Sequence, residues 1–281
     1  MSRYNPMNRR AFLSHLGRGT IAVAVVGITA AACSAESAET TTSAPIPTPA
    51  TDTPNAPPTT TSKAPGPTGE STTTSSTPPA PNDAAGAVTW ERANLGFVSA
   101  YVLARAGEAV IVDTGVSGSE SSIGDSLGVL GLGWGDVSHV ILTHRHNDHQ
   151  GSLPAVLGLA TEAAAYAGAA DVPAIVSPRE VMAVGDGDVV FGLQIIDTPG
   201  HTPGHIAVLD SAGGLLVAGD SMNGSNGGVI GANPQFSPDM STANESVKKL
   251  ATFAFETVVF GHGEPIEVGA SSLVAALVAT L

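Results

Sequence analysis

The sequence of 281 residues is poor in basic side chains, in cysteine and in long apolar segments. It contains 11 Lys and Arg against 25 Asp and Glu, and the net charge of −14 lies wholly after residue 83. Binding to nucleic acid needs a surface rich in Lys and Arg, so we expect no nucleic acid among the partners. The only cysteine, Cys33, excludes an intramolecular disulfide. The apolar segment over residues 20–32 is too short to span a bilayer, which takes about 20 residues.

The first 33 residues have the pattern of an export signal. Arg9-Arg10 is followed by Ala-Phe-Leu and then by the short apolar segment, which ends in Ala30-Ala31-Ala32-Cys33. This order is typical of a signal peptide, and the arginine pair resembles a twin-arginine (Tat) signal. Small residues before Cys33 resemble a lipoprotein processing site, although Ala30 stands where leucine is commonest.

We therefore predict a Tat-type lipoprotein signal peptide over residues 1–33, with lipidation of Cys33; the alternative is an incidental thiol. Lipidation would anchor the mature chain to the membrane through Cys33, on the outer face of the cytoplasmic membrane, with partial secretion as an alternative.

Residues 34–86 form a segment of unusual composition. They include 11 Pro, 14 Thr and 7 Ser among 53 positions. Such a segment cannot bury enough apolar surface to offset the entropy of ordering it. We predict a disordered linker over residues 34–86 and one folded domain over residues 87–281.

Apolar segments in the folded part alternate between strand-like and helix-like patterns. We predict strands at 100–104, 109–113, 137–143, 189–196, 206–209, 215–218 and 257–260. We predict helices at 119–130, 153–159, 161–165, 245–254 and 271–281. The first two strands are joined by a turn and the later ones alternate with helices, which predicts an α/β fold with mixed sheets.

Five of the eight histidines fall in three short segments that follow predicted strands. One segment runs His144-Arg145-His146-Asn147-Asp148-His149, and the others contain His201 and His262. Imidazole and carboxylate are ligands that Zn²⁺ and its neighbours bind through N and O. The segments therefore predict a metal site rather than a polar surface loop, which is the alternative.

The spacing within the first segment indicates two metal positions. His144 and His146 alternate, so an extended or turning loop directs both rings to one side. Asp148 and His149 lie just beyond and can reach a second position. Two metals about 3.5–4 Å apart can share one nucleophile, so we predict a two-metal centre.

These residues carry a resemblance to a known family. His-x-His-x-Asp-His is similar to the signature of the metallo-β-lactamase-fold hydrolases, and four further motifs stand in the expected order: Val112-Asp113-Thr114-Gly115, Thr198-Pro199-Gly200-His201-Thr202, Ala218-Gly219-Asp220-Ser221 and Gly261-His262-Gly263. The resemblance covers about residues 88–268. It implies an αββα sandwich of two mixed sheets, with the metals at one edge between them.

Position by position, the resemblance implies a ligand set. The first metal would be held by His144, His146 and His201, the second by Asp148, His149 and His262, with Asp220 bridging both. Asp113 would orient a ligand or the loop by accepting a hydrogen bond; the alternative is a turn-capping role. The implied cofactors are two Zn²⁺, with Mn or Fe as alternatives. His205 and His139 are interpreted as structural.

The implied reaction is hydrolysis of a small molecule by a metal-bridging hydroxide, with Asp148 as a proton shuttle. The true β-lactamases of the family usually have Cys or Ser where Asp220 stands, which disfavours a β-lactam substrate. A bridging Asp is typical of relatives that cleave thioesters, lactones and phosphodiesters. We predict an ester, lactone or thioester, cleaved at the cell envelope. Candidate pocket residues come from the loops 115–122 and 222–238, and are Met222, Asn223, Asn233 and Phe236.

Three alternatives remain open at this point. The chain could be a mononuclear iron dioxygenase of the same fold, a binding or sensing lipoprotein without turnover, or a β-lactamase after all. The sequence indicates no oligomeric state.

Overall fold

The structure, a computed structural model, describes residues 86–281. The predicted signal peptide over residues 1–33, the lipidation site Cys33 and all but the last residue of the predicted linker lie outside the described residues. Within the described part, none of the helices is long and apolar enough to cross a membrane.

Thirteen strands and five α-helices make up the described part. The strands are β1 (Thr89–Asn94), β2 (Ser99–Arg105), β3 (Glu108–Val112), β4 (Val137–Leu142), β5 (Ala164–Gly168), β6 (Val181–Val184), β7 (Val189–Val190), β8 (Leu193–Asp197), β9 (Ile206–Asp210), β10 (Leu215–Val217), β11 (Met222–Ser225), β12 (Gly228–Gly231) and β13 (Thr257–Val259). The helices are α1 (Glu120–Val129), α2 (Asn147–Gln150), α3 (Leu153–Leu159), α4 (Met240–Leu250) and α5 (Ala270–Val278).

Two mixed sheets form the centre of the fold. The first has the order β1-β2-β3-β4-β5-β6, antiparallel up to β3 and parallel from there on. The second has the order β13-β10-β9-β8-β7, with only β10 and β13 parallel. The strands β11 and β12 form a separate hairpin.

Three hydrophobic layers show that the sheets are stacked between helices. In β2, Tyr101 and Leu103 face the second sheet, while Ala100 and Val102 face α1 and α3. This follows from the two-residue period of a strand, and it explains why β2 is apolar at nearly every position. A third layer packs the far face of the second sheet against α4 and α5. The arrangement is the predicted αββα sandwich.

Two of the predicted helices need correction. The sequence pattern predicts a helix at residues 161–165, but α3 ends at Leu159 and β5 begins at Ala164. Alanine favours helices, yet pairing with β4 inside a buried sheet outweighs that preference. The helix predicted at 245–254 is α4, which begins at Met240 because Asp239 accepts a hydrogen bond from the Thr242 N–H at 2.9 Å.

Candidate metal centre

Strand direction brings the predicted ligands to one edge of the fold. In the second sheet, β8, β10 and β13 run in the same direction, so their carboxyl ends meet at one edge. His201, Asp220 and His262 each follow one of these strands. In the first sheet, His144 follows β4 at the same end as Asp113, which follows the parallel strand β3.

A first cluster is formed by three ring nitrogens. His144 Nε2 lies 3.0 Å from His146 Nδ1 and 3.2 Å from His201 Nε2, and the last two are 2.9 Å apart. Nitrogens bound at about 2.0–2.1 Å to a tetrahedral zinc ion lie about 3.3 Å from each other, close to these distances. The cluster therefore has the size and the donor set of a three-histidine metal site.

A second cluster lies beside the first and contains Asp148, His149 and His262. Asp148 Oδ2 is 3.4 Å from His262 Nε2 and 3.9 Å from His149 Nε2. The two clusters thus contain six of the seven predicted ligands, in the two groups that the resemblance implied.

The carboxylate of Asp220 stands between the clusters. Its Oδ2 is 3.4 Å from His201 Nε2 and 3.2 Å from His262 Nε2, and its Oδ1 is 3.4 Å from His149 Nε2. Gly261 permits this approach, because a Cβ there would collide with the Asp220 carboxylate and the ring of His149.

Two of these atoms test the fit of a metal. Among the described residues, His149 Nε2 and Asp220 Oδ1 are buried without a hydrogen-bond partner. Unsatisfied buried polar atoms are costly and rare in folded proteins. One of them is a ring nitrogen and the other a carboxylate oxygen, so a divalent cation between them would satisfy both. The residues present fit a metal.

In four of the five candidate ligand rings, the opposite nitrogen, Nδ1, is held by a hydrogen-bond partner. His149 Nδ1 donates to Asp113 Oδ2 at 2.8 Å, and His262 Nδ1 donates to the Phe97 carbonyl at 2.6 Å. His144 and His201 place Nδ1 at 3.1 and 2.9 Å from the hydroxyls of Thr143 and Ser237. A donor proton on Nδ1 leaves the Nε2 lone pair free to face the metal.

Asp113 also accepts two hydrogen bonds from Thr143, the residue that precedes His144. The backbone N–H and the hydroxyl of Thr143 each donate to its carboxylate at 2.8 Å. The side chain therefore connects β3 to the loop and to His149. The backbone of Asp113 has a φ of 62°, a left-handed conformation that L residues rarely adopt.

Burial and carboxylates together set the charges of the site. Burial lowers the pKa of His201 to about 4, so its ring is neutral at physiological pH. Burial would raise the pKa of Asp220, but His149 and the hydrogen bond from His262 hold it well below its usual range. Hydrogen bonds to Asp148 and Asp220 raise the pKa of His262 to about 10. The carboxylates attract positive charge, so a metal ion would compete with the His262 proton.

Comparison with known proteins identifies the family. Residues 93–262 match the family model described as Metallo-beta-lactamase superfamily. The chain belongs to the metallo-β-lactamase superfamily. It is accordingly a hydrolase with a metal-binding site, and its superfamily commonly binds divalent metals such as zinc.

Three similar proteins match this chain over more than half of its length. YobT of Bacillus subtilis (strain 168) is 25% identical over 197 residues, which cover 59% of this chain and 83% of YobT. A hydroxyacylglutathione hydrolase of Methylobacillus flagellatus is 28% identical over 167 residues, 58% of this chain and 60% of that enzyme. The protein in the crystal structure of TTHA1623 in a di-iron-bound form is 26% identical in sequence. The two structures superimpose with a TM-score of 0.54, over 66% of this chain and 95% of TTHA1623.

Asp171 is a site residue of this metallo-β-lactamase domain that the sequence did not reveal. Its buried carboxylate accepts hydrogen bonds from the Arg145 N–H at 3.1 Å, the Thr202 hydroxyl at 2.5 Å and the Gly204 N–H at 3.0 Å. Arg145 lies between two ligands of the first cluster and Thr202 follows the third, His201. Asp171 therefore ties together the two loops that form this cluster. No motif marks it, because it lies after β5, apart from both loops in sequence.

The two other histidines among residues 86–281 have structural contacts, as the sequence indicated. His205 is fully buried, places Nδ1 at 2.7 Å from the Thr198 hydroxyl, and accepts at Nε2 from the backbone N–H of Asp220 at 2.9 Å. It positions the backbone of Asp220 without being a ligand. His139 stacks on Tyr166 at 5.6 Å.

A cavity of about 490 Å³ opens onto both clusters of this metallo-β-lactamase domain. Asn223, Asn233 and Phe236 line it, as expected from the sequence. Met222 does not: it is fully buried and packs in the layer beneath α4 and α5. Phe97, which the sequence did not reveal, lies between β1 and β2, is 65% exposed and stacks on the ring of His262 at 6.1 Å. The sequence signal available for Phe97 was an aromatic residue directly after Gly96, in a segment with the composition of a turn.

Proposed function

We propose that this protein hydrolyses an ester, lactone or thioester of a small molecule, with two divalent cations held side by side by the two clusters. The observation that carries the proposal is the position of Asp220, whose carboxylate lies 3.4 Å from His201 Nε2 of the first cluster and 3.2–3.4 Å from His262 Nε2 and His149 Nε2 of the second. A single metal would leave part of this donor set unused. Zinc is the preferred metal because imidazole and carboxylate are its usual ligands, and manganese or iron are alternatives.

When bound, such a pair of cations supplies Lewis-acid chemistry and a water of lowered pKa. His144, His146, His201, Asp148, His149 and His262 would hold the pair, with Asp220 between. Asp148 lines the cavity, and the hydrogen bond from His262 lowers its pKa, so its carboxylate is ionised at neutral pH. It is therefore placed to take a proton from an attacking water and to pass it to the leaving group.

The cavity lining supports an uncharged electrophile. Apart from histidine, it includes no basic residue, and Phe97 and Phe236 supply apolar walls. A phosphodiester or a glutathione conjugate carries negative charge that Lys or Arg would normally balance. Esters, lactones and simple thioesters do not need such a partner at this surface.

The test is hydrolysis by the metal-loaded full chain, assayed with a panel of lactones, thioesters, phosphodiesters and a chromogenic cephalosporin. Metal content is measured alongside by mass spectrometry. We expect two metal ions per chain and turnover of the ester-type substrates. One iron per chain with oxygen consumption would favour the dioxygenase, and cephalosporin turnover alone would favour the β-lactamase.

His146→Ala and His139→Ala make a matched pair of variants. His146 belongs to the first cluster, whereas His139 is half-buried, lies outside both clusters and contacts Ser138 and the rings of Tyr166 and Phe191. We expect His146→Ala to abolish hydrolysis, and His139→Ala to retain it. Equal activity of the two variants would contradict the proposed site. If the metal-loaded protein hydrolysed no substrate of the panel, this result would favour the binding or sensing lipoprotein.

We further propose export by the Tat route, removal of the signal peptide at Cys33 and lipidation of that cysteine. Residues 34–86 would then tether the domain of residues 87–281 to the outer face of the cytoplasmic membrane. The support is the pattern of residues before and at Cys33. Fractionation of cells that express the full chain and the Cys33→Ser variant tests it. We expect the full chain in the membrane fraction and the Cys33→Ser variant outside it. Equal distribution of the two proteins between the fractions would contradict lipidation.

A further inference from the structure

A second cavity adjoins the metal centre. It has a volume of about 580 Å³ and shares Phe97, Asn147 and Asp148 with the first cavity. The rest of its wall consists of Val116, Ser117, Gln150, Gly151, Pro154 and Val176. Because Asp148 belongs to both cavities, a molecule that reacts there can extend into each of them.

The wall of the second cavity is mostly apolar, with Ser117 and Asn147 as polar residues in the lining. Phe97, Val116, Pro154 and Val176 present hydrocarbon, and Asp148 is the only charged residue in the lining. Gln150 offers no free polar atom, since its Nε2 donates to the carbonyls of Arg145 and Ala174 and its Oε1 accepts from the Val176 N–H at 2.7 Å.

Two hydrophobic side chains at this cavity are exposed. Val176 is 69% exposed and Phe97 is 65% exposed. Apolar side chains grouped beside a reaction centre commonly mark a ligand-binding surface. The first cavity has more polar residues in its lining, because Asn223, Asn233, Asp220 and three histidines line it beside Phe97 and Phe236.

We propose that the second cavity is the subsite for an apolar acyl chain, and that the first cavity receives the more polar leaving group. This inference rests on the proposed hydrolase function and narrows it to esters, lactones or thioesters of medium-length acyl groups. The continuity of the two cavities at Asp148 favours a substrate chain over a separate partner molecule.

The first test is a series of p-nitrophenyl esters from acetyl to octanoyl, hydrolysed by the metal-loaded full chain. Burying one methylene increases kcat/KM by about fourfold, so the ratio of octanoyl to acetyl kcat/KM should be large. Val176→Trp fills the subsite and Val176→Ser makes it polar, so both should lower this ratio. Val129→Trp is the matched control, because Val129 is also 69% exposed but lines neither cavity. It should keep the wild-type ratio.

The second test needs no turnover. Binding of octanamide, a neutral chain, is measured by calorimetry on the same proteins. We expect binding to the wild type and to Val129→Trp, at least tenfold weaker binding to Val176→Trp, and no detectable binding of acetamide. Equal binding of octanamide to all three proteins, or binding to none, would overturn the subsite. Selective octanamide binding without ester hydrolysis would support the subsite and overturn the proposed function instead.

Discussion

Asp113→Asn tests whether the hydrogen bonds behind His149 matter for metal binding. Asp113 accepts three hydrogen bonds at 2.8 Å, from the Thr143 N–H, the Thr143 hydroxyl and His149 Nδ1. Asparagine has nearly the same size, but an NH₂ group replaces one oxygen. At least one of the three donors must then face another donor. The simplest relief moves the His149 proton to Nε2, which removes the lone pair that faces the second cluster.

The expected magnitude follows from these contacts. Loss of an acceptor behind a metal-bound histidine typically weakens metal binding by about 10–100-fold. Loss of charge-assisted hydrogen bonds in a buried site also costs about 1.5–3 kcal/mol in the free energy of unfolding. Metal affinity is measured by competition with a chromophoric chelator, and stability by urea denaturation, both on the full chain.

Asp210→Asn is the matched control. Asp210 is as buried as Asp113, and it also accepts three hydrogen bonds, from the Val88 N–H, the Gly213 N–H and Arg105. Its variant should lose a similar amount of stability and keep its metal affinity. If the two variants changed metal affinity equally, or if Asp113→Asn did not change it, the reasoning about the His149 proton would be refuted.

Three further changes have defined outcomes. Asp171→Asn should weaken metal binding by about tenfold in the same competition assay, because it loosens the loops of the first cluster; unchanged affinity would contradict this role. Gly261→Ala should lower metal content and activity, because its Cβ collides with two ligands, whereas Gly135→Ala, which has open space, should alter neither. Burial raises the pKa of Tyr101 from 10.0 to about 12, so the folded state holds its proton more tightly than the unfolded state. Stability should therefore fall between about pH 10 and pH 12, and Tyr101→Phe should reduce that fall in denaturation curves; an unchanged pH profile would contradict it.

The segment 144–149 could be predicted as a metal site from the sequence, because its candidate ligands lie close together in the chain. His144, His146, Asp148 and His149 lie within six positions, at the end of an apolar strand. Short motifs of this kind require no knowledge of distant contacts. His201, Asp220 and His262 are far apart in the chain, and only the family resemblance connected them to the cluster.

Other features depend on contacts between distant segments. The strand at Ala164–Gly168 exists because it pairs with β4, although its alanines alone favour a helix. Asp171 belongs to no sequence motif. It connects two loops because it follows β5, which places its carboxylate between Arg145 and Thr202. Met222 has the sequence neighbours of a pocket residue, yet the packing of α4 and α5 buries it.

The sequence by itself determined the class of fold and the acidic character of the domain, because these depend on residue type, order and spacing, and through the family resemblance it predicted the set of metal ligands. The tertiary structure decided which ring nitrogens face one another in the two clusters, how Asp220 lies between the clusters, and where the cavities run. These depend on side chains that meet only after the two sheets have stacked, so their positions follow from packing and strand direction and not from any local pattern.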